Sequence, residues 1–342
     1  MKKIITFSIA AYNIEKYINK LMESLLEKDL LNDIEVLIVN DGSIDKTSSI
    51  GEMYQKKYPN TVKLINKKNG GHGSTINIGI SLATGKYFKA IDGDDWVNTK
   101  DVIRLVKILK NIDINLDMIL TNYYKCYESG EIKEEILENL IHNKIYREND
   151  LFSLIKNIGY HNIIYKTKLL QDNNIRLDEK CFYVDTEYII YPLIHVRTIL
   201  FLNYKINCYR LGTEEQSVNP KNRMKNIRDS YIVSKALLKF YKKIQNSISD
   251  EKRKYIRNKI CGMLHWHILG LLMFKPTKEK KDELINFDKL IKKYSEEMFF
   301  YMENKKGSSK LMKLLRWSNY KIYYFIVWYK QIKNNIKKFL KK

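Results

Sequence analysis

The sequence predicts an α/β fold: a doubly wound, mostly parallel sheet with helices on both faces, followed by an all-α C-terminal region. Three observations lead there. Through the first hundred residues, short β-rich apolar runs alternate with segments of helical period. The runs are continuously apolar, as strands buried on both faces require, and helices of this length between them imply parallel pairing with right-handed crossovers. After Pro220 the character changes. Residues 1–219 carry 29 Lys/Arg and 29 Asp/Glu, whereas residues 220–342 carry 32 and 10 and read as helix throughout.

The elements follow in order. Ile4–Ala10 is the first strand, and Glu15–Glu27 sets Ile18, Leu21, Met22 and Leu25 at the spacing of an amphipathic helix. Glu35–Val39, Val62–Ile65 and Lys86–Ile91 are the next strands, separated by helices over Thr47–Tyr58 and Ser74–Ala83. From Asp117 the pattern is mixed. A strand is expected near Met118–Tyr123, a hairpin turning at Gly130, a helix near Asn149–Lys156, and extended pieces around Tyr160–Tyr165 and Ile199–Tyr209. Ligands of such a sheet belong at the carboxyl ends of its strands.

At 342 residues, 44% hydrophobic and 29% charged, the chain holds ample material for a core and is not disordered. Cys126, Cys181, Cys208 and Cys261 stand far apart without a CxxC pair, which excludes a disulfide scaffold or zinc ribbon and suits a reducing compartment. The opening MKKIITFSIAAYN turns polar too early for a signal peptide. No apolar run reaches the ~18 residues of a membrane span. The expected location is the cytoplasm.

Chemistry concentrates at the strand ends. The second strand runs into Asn40-Asp41-Gly42-Ser43, where a carboxylate can accept from a nucleobase N–H or merely cap the following helix. The fourth runs into Asp92-Gly93-Asp94-Asp95-Trp96. Alternate residues of an extended segment share a face, so Asp92 and Asp94 point together, and two such charges repel unless a cation sits between them. Mg²⁺ or Mn²⁺ shared with substrate phosphate is the usual answer. Between the two lies Asn69-Gly70-Gly71-His72-Gly73-Ser74-Thr75, which lacks the third glycine of a dinucleotide fingerprint. Gly85-Lys86 is no P-loop either, since Tyr87 replaces the Ser/Thr and a strand follows.

Together, SIAAYNIEKYI, EVLIVNDGSIDKT and NGGHGSTINIGISLATGKYFKAIDGDDW resemble a family 2 glycosyltransferase of the GT-A fold, over residues 4–96. The resemblance implies an inverting, metal-dependent transferase using a nucleotide-sugar donor, most often a UDP-sugar. It implies that Asp41 recognises uracil, with Ala11, Tyr12 and Asn13 on the pocket wall and Gly70 and Gly71 lining the donor. Asp92 and Gly93 then approach the ribose, and Asp94 with Asp92 holds Mn²⁺ or Mg²⁺. Ala10 departs from the family, which often has proline there. Farther on, CFYVDTEY resembles the acidic motif that supplies the base, here Asp185 alone because Val184 replaces the preceding acid, with Glu187 as runner-up. His161, Gln216 and Ser217 are acceptor-side candidates, the last two within a stretch resembling the segment that closes the acceptor side in bacterial polysaccharide enzymes. No QxxRW motif is present, so processive polymer synthesis is disfavoured.

The resulting reading is a catalytic domain over 1–219, with a nucleotide-binding half (1–96) and an acceptor half (97–219), and a basic helical region over 220–342. One sugar would pass to a lipid-linked or cell-surface glycan. Lys305–Lys342 holds 12 Lys/Arg and no acid, interleaved with aromatics, which suits the anionic inner face of the cell membrane. A packed helical domain is the competing account of that tail. Nucleic-acid binding is disfavoured, because carboxylates at the strand ends would repel phosphate. The remaining rival is a non-catalytic scaffold on the same fold.

Overall fold

The structure, a computed structural model, describes residues 3–212, 219–304 and 309–329. It divides into two units, Met1–Gln216 and Ser217–Lys342. In the first, β1 (Ile5–Ala11), β2 (Ile34–Asn40), β3 (Val62–Asn66) and β4 (Tyr87–Asp92) are parallel, in the order β3-β2-β1-β4. Crossovers run through α1 (Ile18–Leu25), α2 (Thr47–Lys57) and α3 (His72–Leu82). Ile5, Phe7 and Ile9 of β1 share one core with Ile18, Leu21, Met22 and Leu25 of α1, the apolar stripe of the sequence pattern.

α1 begins three residues later than its pattern because residues 13–15 spend their amides elsewhere. Asn13 N–H donates to Ser43 Oγ (3.0 Å), Ile14 N–H to Thr47 Oγ1 (2.9 Å) and Glu15 N–H to Asp45 Oδ2 (3.0 Å). The loops after β1 and β2 are thereby bound to each other. Asp45 Oδ1 also accepts from Thr47 N–H (2.9 Å), so neither Asp41 nor Ser43 is needed to cap α2.

Beyond β4 the sheet is mixed. The chain adds β5 (Trp96–Val97), α4 (Thr99–Asn111), β6 (Met118–Tyr127), β7 (Ile132–Glu135), β8 (Lys144–Arg147), α5 (Glu148–Leu154), β9 (Ile163–Lys166), α6 (Thr167–Asp172), α7 (Asp185–Ile190) and β10 (Thr198–Leu211). The order continues β4-β9-β6-β10-β5, with β9 antiparallel to both neighbours, β6 and β10 parallel, and β5 antiparallel to β10. Tyr160–Asn162, expected to be extended, is a 3₁₀ turn whose Asn162 side chain accepts from Gly159 N–H (2.8 Å) and donates to Thr121 O (2.7 Å). That turn aims β9 against the direction of β4.

The second unit is helical where described: α8 (Pro220–Lys225), α9 (Ile227–Ile244), α10 (Asp250–Leu271), α11 (Lys278–Tyr294), α12 (Glu296–Asn304), α13 (Ser309–Trp317) and a further helical stretch at 323–329. Val233, Leu237 and Tyr241 of α9, Ile256, Ile260 and Leu264 of α10, and Leu284, Phe287 and Ile291 of α11 are buried at helical spacing. One ion pair fastens α13 to α11. Arg316 Nε donates to Asp288 Oδ2 (2.8 Å), Nη1 donates to Phe299 O (2.8 Å), and the guanidinium lies 3.5 Å from the Phe299 ring centroid. The Tyr320 hydroxyl donates to the same carboxylate. Side-chain exposures of 8% for Arg316 and 4% for Asp288 put this pair in a low-dielectric setting, where removing one partner strands the other. Asp288→Ala is therefore expected to lower the unfolding free energy of this unit by about 3–5 kcal/mol, read by chemical denaturation.

Candidate functional site

The loops after β1, β2 and β4 meet at the carboxyl ends of these strands, where the backbone leaves the sheet and side chains can converge. Asp41 follows β2, and its N–H donates to Ala11 O (2.8 Å), which ties it to the end of β1. Its buried carboxylate accepts from Gly70 N–H and Gly71 N–H (both 2.8 Å) and from Lys67 Nζ. Lys67 also donates to Ser74 Oγ (2.9 Å), and that hydroxyl donates to Gly71 O (2.7 Å). Thus the glycine loop is folded onto Asp41 by its own amides. Gly71 sits at φ +81°, a conformation an L side chain rarely adopts, and a Cβ on Gly73 would lie 2.0 Å from Asp178 O. Tyr12 and Asn13 stand exposed at the mouth, and Asn13 Oδ1 accepts from Ile44 N–H (2.9 Å).

The acidic turn after β4 forms the floor. Gly93 N–H donates to Ala10 O (3.1 Å), closing the turn against β1. Asp92 Oδ1 lies 3.0 Å from His72 Nε2. Burial raises the Asp92 carboxyl, but the hydrogen bond and charge of His72 outweigh it and hold the group below its ordinary value. Burial and then the Asp92 charge push Asp94 up to about 6. Asp95 is buried and raised well above the carboxylate range by burial, Asp92 and Asp94. Arg210, from β10, spans this turn: its N–H donates to Asp95 Oδ1 (2.9 Å) and its Nε to Asp94 O (2.8 Å).

His161 lies behind Asp95. Its Nδ1 is 3.5 Å from Asp95 Oδ2, and both atoms are buried without a hydrogen-bond partner among the described residues. The imidazole packs on Tyr209 (4.2 Å between centroids) and Tyr123 (5.1 Å), and burial lowers it to about 4. His161, an acceptor-side candidate of the sequence, stands beside the acidic turn: it, Asp92 and Asp95 bring potential ligand atoms within 4.8 Å of one another. Beneath them Lys89 is fully buried, donates to His161 O (2.9 Å), and is pulled down to about 7 by desolvation.

Asp185 opens α7 and is half-buried. Its charge acts on His72, Tyr160 and Tyr209, the rings near the acidic turn. Glu187 is fully buried and accepts from Asp178 N–H (2.8 Å), which makes it a structural carboxylate. Desolvation lifts it to about 8. Gln216 and Ser217 lie outside the described residues.

Sequence reasoning thus brought Asp41, Gly70, Gly71, Asp92, Asp94 and Asp185 to one end of the sheet, and missed Lys67, Lys89, Asp95 and Arg210. Lys89 left a signal, a lone charge inside the apolar run of β4, and Asp95 stood within the acidic motif unused. Lys67 and Arg210 left none, since each meets its partners only through the fold.

Comparison with known proteins fits this architecture. Residues 6–173 match the family model Glycosyl transferase family 2. The chain is 28% identical over 186 residues to the uncharacterized glycosyltransferase EpsJ of Bacillus subtilis, covering 52% of each protein. It therefore spans about half the length of that curated relative. Among solved structures, S. aureus TarS 1–349 in complex with UDP-GlcNAc matches with a TM-score of 0.66 at 18% identity, over 96% of this chain and 92% of that one. Mannosyltransferase PcManGT from Pyrobaculum calidifontis, in complex with GDP-Man and Mn²⁺, matches with a TM-score of 0.50 at 12% identity, over 97% and 88%. The fold is GT-A. Residues 6–173 belong to glycosyl transferase family 2.

Glu187 yields a pH prediction. Its folded carboxyl near 8, against 4.5 ordinarily, keeps a proton that the unfolded chain releases, so its contribution to stability falls as pH rises between those values. Glu187→Gln keeps an acceptor for the Asp178 amide and removes the titration. Its melting temperature should fall less than that of the wild type between about pH 5 and pH 8, as followed by circular dichroism.

Proposed function

We propose that the protein is an inverting, metal-dependent glycosyltransferase that moves one sugar from a UDP-sugar to a hydroxyl of a lipid-linked or cell-surface glycan. The observation carrying this reading is that the charges of Asp92, Asp94 and Asp185 all act on His72 and on Tyr209, beside the acidic turn at the carboxyl end of β4. The acceptor oxygen attacks the anomeric carbon, the bond from that carbon to the diphosphate oxygen breaks, and the electron pair leaves with the nucleoside diphosphate. Asp185 takes the hydroxyl proton. Entry opposite the leaving group turns an α-linked donor into a β-linked product.

For the donor, Asp41 offers roughly two acceptor positions on each oxygen: Lys67, Gly70 and, at 3.5 Å, Ser74 occupy Oδ1, Gly71 takes one on Oδ2, and one on Oδ2 is left. The remaining one suits uracil N3–H and opposes the bare N3 of cytosine. The UDP-GlcNAc complex of TarS supports the same nucleotide. The acidic turn fits a divalent cation, because Asp94 is held near 6 beside Asp92 and the buried Asp95 Oδ2 and His161 Nδ1 have no hydrogen-bond partner among the described residues. Asp92 and Asp94 would hold Mn²⁺ or Mg²⁺, with Asp95 and His161 completing the surroundings. Such an ion, when bound, offsets charge on the departing diphosphate.

The second unit suits attachment to an anionic membrane from the cytoplasmic side. No helix of the described residues is long and apolar enough to cross a membrane. Leu315, Tyr323, Ile326 and Val327 are buried, yet the same stretch exposes Trp317 (82%), Phe325 (64%) and Trp328 (56%) beside Lys313 and Lys321. Packing and attachment thus use different faces. Aromatic rings at headgroup depth and about 1 kcal/mol per nearby Lys/Arg give reversible binding.

Two experiments follow. Asp185→Asn should lower transfer from UDP-sugars by at least about 10²-fold while UDP affinity by calorimetry stays level, and loss of activity in Glu187→Gln instead would contradict the reading. Replacing Trp317, Phe325 and Trp328 by serine should abolish co-sedimentation with phosphatidylglycerol vesicles and leave melting temperature and UDP affinity unchanged.

A further inference from the structure

The segment leading into α7 is held from outside by a single side chain. Asn77 of α3 is 7% exposed and reaches across 100 residues of sequence. Its Nδ2 donates to Leu177 O (3.0 Å) and to Glu179 Oε1 (3.0 Å), and its Oδ1 accepts from Leu177 N–H (2.9 Å). The amide therefore grips the backbone of Leu177 from both sides, as a neighbouring strand would. Two further bonds hold the residues that follow. Lys180 N–H donates to Gly70 O (2.6 Å), and Asp178 N–H donates to Glu187, inside α7 itself. Lys180 and Tyr183 adopt φ of 56° and 70°, which non-glycine residues keep only where surrounding contacts impose it.

Gly70 is the join. Its N–H is bonded to Asp41 and its C=O to Lys180, so one residue links the carboxylate read as the uracil site to the segment that carries Asp185. Asn77 anchors that segment one helical turn farther along α3. Without it, the bonds to Gly70 and Glu187 and the Arg176–Glu179 ion pair would still hold residues 177–180, but Leu177 would lose both of the bonds that Asn77 makes to its backbone.

We infer that Asn77 is a positioning residue for transfer, fixing the 177–180 segment so that Asp185 sits where the acceptor proton must be taken. The inference rests on Asp185 being the base. Asn77 touches neither donor nor acceptor, so its loss should act through Asp185 alone. A displacement of the base by about 1 Å costs on the order of 10²-fold in rate.

The test is a double-mutant cycle on the full chain. Transfer from a UDP-sugar and UDP affinity by calorimetry are measured for wild type, Asn77→Ala, Asp185→Asn and the pair. Asn77→Ala should reduce kcat by about 10²-fold with donor KM and UDP affinity within twofold of wild type. The pair should be no slower than Asp185→Asn alone, because a misplaced base and an absent base leave the same reaction. Losses that multiply in the pair would overturn the inference, as would an Asn77→Ala defect in UDP affinity at unchanged kcat. Full turnover by Asp185→Asn would instead refute the assignment of the base. If Asn77→Ala does not fold, Asn77→Asp keeps the volume and the acceptor for Leu177 while deleting both donated bonds, and the same cycle applies.

Discussion

A buried carboxylate pinned by two backbone amides is the constraint on which the cleft depends. Asp41 sits at the end of a strand that cannot move, and the amides of Gly70 and Gly71 are bonded to it, so the glycine loop takes its place from the sheet. Lys67 supplies the balancing charge at the same oxygen. Once the loop is set, its carbonyl meets Lys180, and the 177–181 segment acquires its path. The two sides of the site are therefore not independent: what fixes the glycine loop also fixes the approach to α7. An exposed carboxylate could not do this, since water would compete for the amides.

A second theme is charge held in burial without full pairing. Asp95 and His161 face each other at 3.5 Å, too long for a strong bond, and Lys89 below them is bonded to carbonyls. Burial pushes the acid up and the two bases down, each toward its neutral form. Groups so arranged answer strongly to any added charge, which is the behaviour a cation site at Asp92 and Asp94 would exploit. In the second unit the opposite solution is used: Asp288 and Arg316 are buried and mutually satisfied, and they serve only to hold helices together.

Much of this was legible in the chain. Continuous apolar runs ending in acids located the parallel strands and the end at which Asp41, Asp92 and Asp94 gather, because a strand buried on both faces leaves polar residues only at its termini. The antiparallel insertion of β9 was not legible, since it depends on a 3₁₀ turn fixed by Asn162 and Thr121, which are 41 residues apart. The smallness of Gly71 and Gly73 admits the backbone of residues 178–180, a close approach of chain to chain that a sequence cannot separate from approach to a ligand. Helical period likewise picked out the apolar and aromatic positions of the tail, but which of them face inward is decided by α11, through the Asp288–Arg316 pair. The packing of His161 was not legible either, because nothing local reports the tyrosines of β6 and β10 that enclose it.

The ends of the sheet carry a consequence for behaviour in a crowded cell. β3 is five residues long with Lys63 and Asn66 exposed, and β5, at the other extreme, has only two. Neither offers a stranger's backbone enough unpaired amides and carbonyls in a row to continue the sheet, and the exposed lysine charge disfavours a neighbour that tries. Where many copies gather at high local density, these two ends of the sheet are thus guarded against runaway strand addition.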